Sequence, residues 1–352
     1  MPAEWEPHAA TWLAWPHYEL DWPGKFAPIP WVYAEIIRQL ARHERVELIV
    51  NDAASGRSAR KVLQQAGAKL ENVGFHRWRT DRVWTRDSGC TFVYPSSADN
   101  RGRLHSSEDM RLAAIKWRFN AWAKYSNWQH DEKIGSLMAK ATGANEIRPL
   151  CRGSRVVLEG GSIDVNGQGT LLTTEECLLS GKQQRNPGMK RKDYEAVFAE
   201  NLGVTNVIWL GRGIVGDDTH GHVDDLTRFI APDTVVTVVE SNPKDPNYQP
   251  LRENIRRLRA AVDQNGKPLA IIELPMPGLI TFKGNRLPAS YANFYIANGL
   301  VLVPVFNDAN DRFALDTLAD LFPDREIVGI YCGDLVWGFG TLHCMTQQQP
   351  LV

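Results

Sequence analysis

The stretch Pro30–Val50, PWVYAEIIRQLARHERVELIV, holds an amphipathic helix and a strand with almost no chain between them. Tyr33, Ile36, Ile37, Leu40 and Ala41 recur at helical spacing, Pro30 suits a first helical turn, and VELIV follows as a strand. The same order returns further on. Tyr194, Val197, Phe198 and Leu202 lead to NVIWL; Leu251, Ile255, Leu258 and Val262 lead to LAIIEL; Leu315, Leu318 and Leu321 lead to EIVGIY. With strands starting near Val73, Ile147, Val207, Leu269 and Ile327, the period is about 60 to 75 residues, too long for a solenoid repeat. It predicts an α/β chain of about five modules arrayed in a ring.

Other segments read as strands within those modules. AIKWRF would put Ile115, Trp117 and Phe119 on one face, GTLLTT and TVVTVV are β-branched runs, and YANFYIANGLVLVPVF is a hairpin turning at Asn298-Gly299. GKQQRNPGMKRKDY reads as a solvated loop entering a helix. No Pro/Gly/Ser-rich linker divides the chain, so a single domain over residues 1–352 is expected.

The 352 residues are 43% hydrophobic and 23% charged, with a formal net charge of −1. That composition excludes disordered and fibrous classes. The charge gives no electrostatic case for a nucleic-acid or membrane-surface partner and favours a small ligand. With no signal segment and no apolar run of membrane-spanning length, a cytoplasmic location is expected. Five cysteines, odd in number and without CxxC spacing, signal neither a disulfide framework nor a structural zinc site.

Polar residues gather at one place in the period. About 12 to 17 residues after four of the five strand starts comes a Gly-containing stretch with an acid, a His or a Cys: WTRDSG with Asp87, LEGGS with Glu159, GDDTHGHVDD with His222, and GFGTLHC with Cys344. In a ring of modules such loops converge on one pocket. Taken alone, Asp87 reads equally as a surface ion pair with Arg86, and Cys344 as a small buried hydrophobe; their shared offset argues otherwise. If DDTHGHVDD is extended, Asp218, His220, His222 and Asp224 share a face. Two chemistries then compete: a divalent metal held by His220, His222 and Asp224, or His222 as general acid/base with Asp224 as a carboxylate for a cationic substrate.

Longer motifs carry a resemblance. MPAEWEPHAATWLAWPH, WTRDSG, FNAW, EGGSIDVNGQGTLLTTEECLL, RNP, GDDTHGHVDDLTRF, PASYANFYIANG and HCMTQQQP, spread over nearly the whole chain, resemble the agmatine deiminases of the guanidino-group-modifying superfamily, which includes peptidylarginine and arginine deiminases. The resemblance implies a five-bladed α/β-propeller, the pentein fold, of ββαβ modules. It implies Cys344 as nucleophile, His222 as general acid/base, Asp87 and Asp224 as guanidinium-binding carboxylates, and Glu159 as a further catalytic carboxylate. No metal or organic cofactor is implied. The substrate implied is agmatine, with arginine or peptidylarginine as alternatives, and Asp218 and Trp84 are candidates for its distal ammonium. Homo-oligomerisation is left open. The chain departs from the family pattern at Cys90, at Phe339 and Thr341 in the lead to Cys344, and in FNAWAKYSNWQHD, which lacks the usual glycines.

Overall fold

The computed structural model describes residues 1–95 and 112–352. The first expected helix spans Ile29–Leu40, with Pro30 in its opening turn, and buries Ile29, Tyr33, Ile36, Ile37 and Leu40. The strand Arg45–Val50 follows and lies parallel to His8–Ala14. A helix between two parallel strands is the usual answer to a crossover that must return along the sheet.

Four further sheets repeat one plan: an antiparallel pair, a helix, then a third strand parallel to the middle one. The first joins Thr91–Val93 and Ala113–Ile115 and, after helix Ile134–Thr142, Asn145–Ile147. In the second, Asp164–Val165 and Thr170–Thr174 are followed by helix Arg191–Leu202 and strand Asn206–Leu210. The third is Thr227–Ala231, Thr234–Val239, helix Tyr248–Ala260 and Ala270–Pro275. The fourth is Tyr295–Ala297, Leu300–Val305, helix Asp311–Leu321 and Glu326–Tyr331. The middle strands, TVVTVV and LVLVPV, are β-branched runs because both of their faces are covered.

The remaining sheet is assembled from both ends of the chain. Gln347–Pro350 lies antiparallel to His8–Ala14, while Arg45–Val50 and Val73–Arg77 extend it in parallel. Its antiparallel strand therefore comes from the C-terminus, directly behind Cys344. Among the described residues the sheets are separate and open, and no helix is long and apolar enough to cross a membrane.

Three local readings change. AIKWRF is not one strand: pairing stops at Ile115, and Trp117 packs with Ile115 while Phe119 joins a different apolar cluster. Val262 lies beyond its helix, which ends at Ala260. GKQQRNPGMKRKDY does lead into a helix, but Arg185 and Asn186 within it are buried, against the solvated loop expected. The Asn298-Gly299 hairpin forms, with Gly299 at φ 62° supplying the left-handed turn residue.

Candidate active site

Behind the outer parallel strand of each module, one segment reaches a common cavity. Four are those expected from the period. Asp87 lies in the short helix Thr85–Ser88, Glu159 precedes the Gly160–Ser162 turn, His222 and Asp224 flank the start of the Val223–Asp225 turn, and Cys344 follows Leu335–Gly338. The fifth is Asn293, which sequence reasoning missed. Its Nδ2 donates to Cys344 Sγ at 3.1 Å, and its Oδ1 accepts from the Thr341 hydroxyl at 2.7 Å and the His343 amide at 3.0 Å. After Ala270–Pro275 a small hairpin, Thr281–Phe282 with Asn285–Arg286, lengthens this loop and pushes Asn293 past the common offset.

The centre is dense and nearly dry. His222 Nδ1 lies 3.8 Å from Asp87 Oδ2 and 4.0 Å from Asp224 Oδ1, and its Nε2 lies 3.5 Å from Glu159 Oε2. Cys344 Sγ lies 3.7 Å from Asp224 Oδ2. Asp87 is held by Trp122 Nε1 at 2.8 Å and the Gly161 amide at 3.0 Å. Gly161 is required: a Cβ there would lie 2.6 Å from His222 Nδ1 and 2.9 Å from Asp224 Oδ2. The glycines before Cys344 serve the same end. Gly338 and Gly340 give room to the rings of Trp22 and Trp84, whereas the left-handed residue in that lead is Phe339, at φ 66°. Ala121, Trp122 and Ala123 also take positive φ, so the turn that aims Trp122 at Asp87 stores backbone strain at the site.

Both nitrogens of His222, Glu159 Oε2 and Asp224 Oδ1 are buried without a hydrogen-bond partner. Buried polar atoms are normally satisfied, so four orphans on three adjoining residues mark a place shaped for a polar occupant. They lie next to Asp87 and Cys344, which with Trp84, Trp122 and Asp218 among others line a cavity of about 380 Å³.

Electrostatics divides the labour. Burial drives the Asp87 carboxyl up, and despite the opposing His222 it settles at about 6. Burial also raises Glu159, but the Arg185 guanidinium, with help from His222, more than offsets it and holds that carboxyl at about 2. Burial works against the charged imidazole of His222, yet Asp87, Cys177 and Glu159 carry it well above the ordinary histidine value. The Cys344 thiol is pushed well up by burial and by Asp224, Asp225 and Asp87. Without a cation in the pocket the sulfur keeps its proton and the histidine its charge.

DDTHGHVDD is not extended. His220 (φ 66°) and Gly221 (φ 96°) turn the chain, sending His220 toward Ser180 Oγ at 3.2 Å and Glu176 at 3.7 Å. The structure therefore does not bring His220 together with His222 and Asp224. Donor atoms do lie within 4.8 Å of one another in Glu159, Cys177 and His222, and in Asp224, Asp225 and Cys344; both sets belong to the same centre. Asp218 lines the outer cavity, its carboxylate accepting from Lys124 and from the Tyr125 hydroxyl at 2.6 Å. Trp84 packs on Trp22 and forms part of the cavity wall.

Arg185 is the other residue missed. It looked like one more charge in a basic loop, but its Nε donates to Glu159 Oε1 at 3.1 Å with both side chains fully buried. Arg185→Leu strands that carboxylate in a dry site and is expected to lower stability by about 3 to 5 kcal/mol; an unchanged denaturation midpoint would overturn this.

Similar proteins match the chain nearly end to end. A protein of Stutzerimonas stutzeri named agmatine deiminase is 34% identical over 99% of this chain and 95% of its own. The solved agmatine deiminase of Enterococcus faecalis superposes with a TM-score of 0.88 at 30% identity, covering 99% of this chain and 95% of that one. A substrate-bound agmatine deiminase of C. jejuni gives 0.83 at 27% identity, with 99% and 95% covered. The model of the Porphyromonas-type peptidyl-arginine deiminases matches residues 1–350, and the chain belongs to that family.

Proposed function

We propose that this chain is a cysteine-dependent hydrolase that deiminates agmatine, giving N-carbamoylputrescine and ammonia. The observation that carries the reading is the run of orphaned polar atoms on Glu159, His222 and Asp224, the last of these residues lying 3.7 Å from the Cys344 sulfur. A guanidinium is planar, cationic and rich in N–H donors, and carboxylates on its edges satisfy it. Asp87 and Asp224 take those edges, leaving the central carbon open to the sulfur.

Binding also changes the sulfur. Burial and three carboxylates raise the thiol; a cation among those carboxylates cancels their field and favours the thiolate, the thiol proton passing to solvent. The thiolate adds to the guanidinium carbon. His222, charged in the resting site, gives its proton to one –NH2, and ammonia leaves with the C–N electron pair. An S-alkylated amidinium remains on Cys344. Water then attacks the same carbon, returning one proton to His222, and collapse of the adduct expels the sulfur, which takes up the remaining hydroxyl proton to restore the thiol and leave the carbonyl of the product. Glu159 orients His222 and stabilises its charge throughout.

At the outer end Trp84 offers an aromatic wall and Asp218 a carboxylate to the distal ammonium. Lys124, whose side chain is 39% exposed, already pairs with Asp218 and must swing aside. The five ββαβ modules, with the first built from both chain termini, support a five-bladed propeller acting as one catalytic domain, and the charge balance suits a cytoplasmic enzyme with a small-molecule substrate. The test is kcat/KM for agmatine, arginine and a blocked arginyl peptide side by side. Agmatine is expected to lead by about tenfold or more, the value of one well-placed charge contact; preference for either alternative would overturn the substrate assignment.

A further inference from the structure

We infer that His343, the residue before the nucleophile, is the positioning residue that aims Asp224 at the guanidinium, and that Glu4 of the N-terminal segment holds it in place. The inference rests on the role proposed above for Asp224.

His343 is buried and its ring turns away from the sulfur next to it in sequence. Nδ1 meets Asp224 Oδ2 at 2.7 Å and Nε2 meets Glu4 Oε2 at 2.8 Å. Among the described residues, Asp224 has no other side-chain hydrogen bond except the long contact from Cys344 Sγ at 3.7 Å, with His222 Nδ1 at ion-pair distance, 4.0 Å, from its Oδ1. Its second oxygen, Oδ1, is the orphan on the His222 side. A carboxylate with one anchored oxygen has one direction left for the other. The His343 bond therefore decides where the free lone pairs of Asp224 point.

Glu4 gives that anchor its own fixed base. It accepts from Arg86 Nη2 at 3.0 Å, Arg228 Nη2 at 2.8 Å, His343 Nε2 at 2.8 Å and the Ile296 amide at 2.9 Å. Arg228 in turn bonds Asp164 at 2.6 Å. A ring bonded to a carboxylate through each nitrogen satisfies both only by donating from both. Arg86 and Arg228 pair with Glu4, and Arg228 with Asp164, so these buried carboxylates have the partners that buried charges require. The network joins distant parts of the chain, among them the N-terminus, the short helix Thr85–Ser88, the strand Thr227–Ala231 and the nucleophile segment.

Two amides separate the halves of the bridge. In His343→Asn the amide stands near the position of Nδ1 and still reaches Asp224; in His343→Gln it stands near Nε2 and reaches Glu4 only. The experiment measures kcat and KM for agmatine in both variants of the full chain. It also measures inactivation by 2-chloroacetamidine, an amidinium electrophile that needs the carboxylates, and by neutral iodoacetamide, which does not. The Asn variant is expected to keep kcat/KM within about tenfold, and the Gln variant to lose about 100-fold, the effect of a small misplacement in a catalytic array. In the Gln variant chloroacetamidine slows in proportion while iodoacetamide keeps its rate. Glu4→Gln, which retains the shape and removes the charge, gives an intermediate loss and serves if neither His343 variant folds. Equal losses in Asn and Gln variants, or equal slowing of both reagents, overturn the inference. Absence of agmatine turnover in the unsubstituted chain overturns the proposed function instead, and the two reagents still decide the role of His343.

Discussion

Cys344→Ala is expected to end ammonia release from agmatine, lowering kcat by about 10⁴-fold or more, while agmatine still binds and the fold persists. The substitution removes one buried sulfur and none of the groups that receive the cation. Asp87 keeps Trp122 and Gly161, Asp224 keeps His343, and Glu159 keeps Arg185. What disappears is the sulfur proposed to bond the guanidinium carbon and then leave it. Water cannot substitute directly, because His222 rests in its protonated form beside Asp87 and Glu159 and is a poor base until it has given that proton away. Stopped in mid-reaction, the unsubstituted chain should carry an adduct on Cys344 with the mass of agmatine less ammonia. Turnover within tenfold of the unsubstituted chain in Cys344→Ala would remove the sulfur from the mechanism.

The helix-then-strand unit is legible in Pro30–Val50 because apolar spacing and β-branched runs report burial directly, and the same signals recur in three further modules, though not in the short helix Ile134–Thr142. The polar stations are legible where the loop length is constant. Asn293 is not, because the Thr281–Arg286 hairpin shifts it and because an amide carries no titrating signature in sequence. Arg185 and Glu4 are missed for a different reason. Each is one charge among many until a partner distant in the chain, Glu159 in one case and His343 in the other, is brought against it in a dry interior. The period-of-two reading of DDTHGHVDD fails at His220, a non-glycine residue in the left-handed region. That conformation is accompanied by local side-chain bonds that a period-of-two reading ignores: the Gly221 and His222 amides donate to Asp217 Oδ2 at 2.6 and 3.0 Å.

The clearest sign that the site is built for a cation and not for stability should come from Asp87→Asn. Its carboxyl, near 3.8 in the unfolded chain, stands at about 6 in the fold, first because of burial and then because Asp224 and Glu159 lie close. The sign follows from proton counting. Between those two values the folded chain binds more protons than the unfolded one, so stability falls as pH rises through this window, and the full penalty is present above about pH 6. A rise of 2.2 units, from 3.8 to about 6, corresponds to about 3 kcal/mol. The asparagine does not titrate but cannot accept from both Trp122 and Gly161, which returns about 1 to 2 kcal/mol. The variant should therefore be more stable than the unsubstituted chain by about 1 to 2 kcal/mol at pH 7 and lose that advantage toward pH 4. Activity moves the other way. Removing the charge that faces a buried guanidinium should lower kcat/KM by about 10³-fold, and in the unsubstituted chain kcat/KM should fall on the acid side as Asp87 takes up its proton near pH 6. Denaturant melts at pH 4 and pH 7, with kcat/KM across the same range, test both halves. A variant less stable than the unsubstituted chain at pH 7 would show that the Trp122 and Gly161 bonds outweigh the crowding of carboxylates, and a variant with undiminished kcat/KM would show that Asp87 does not receive the substrate.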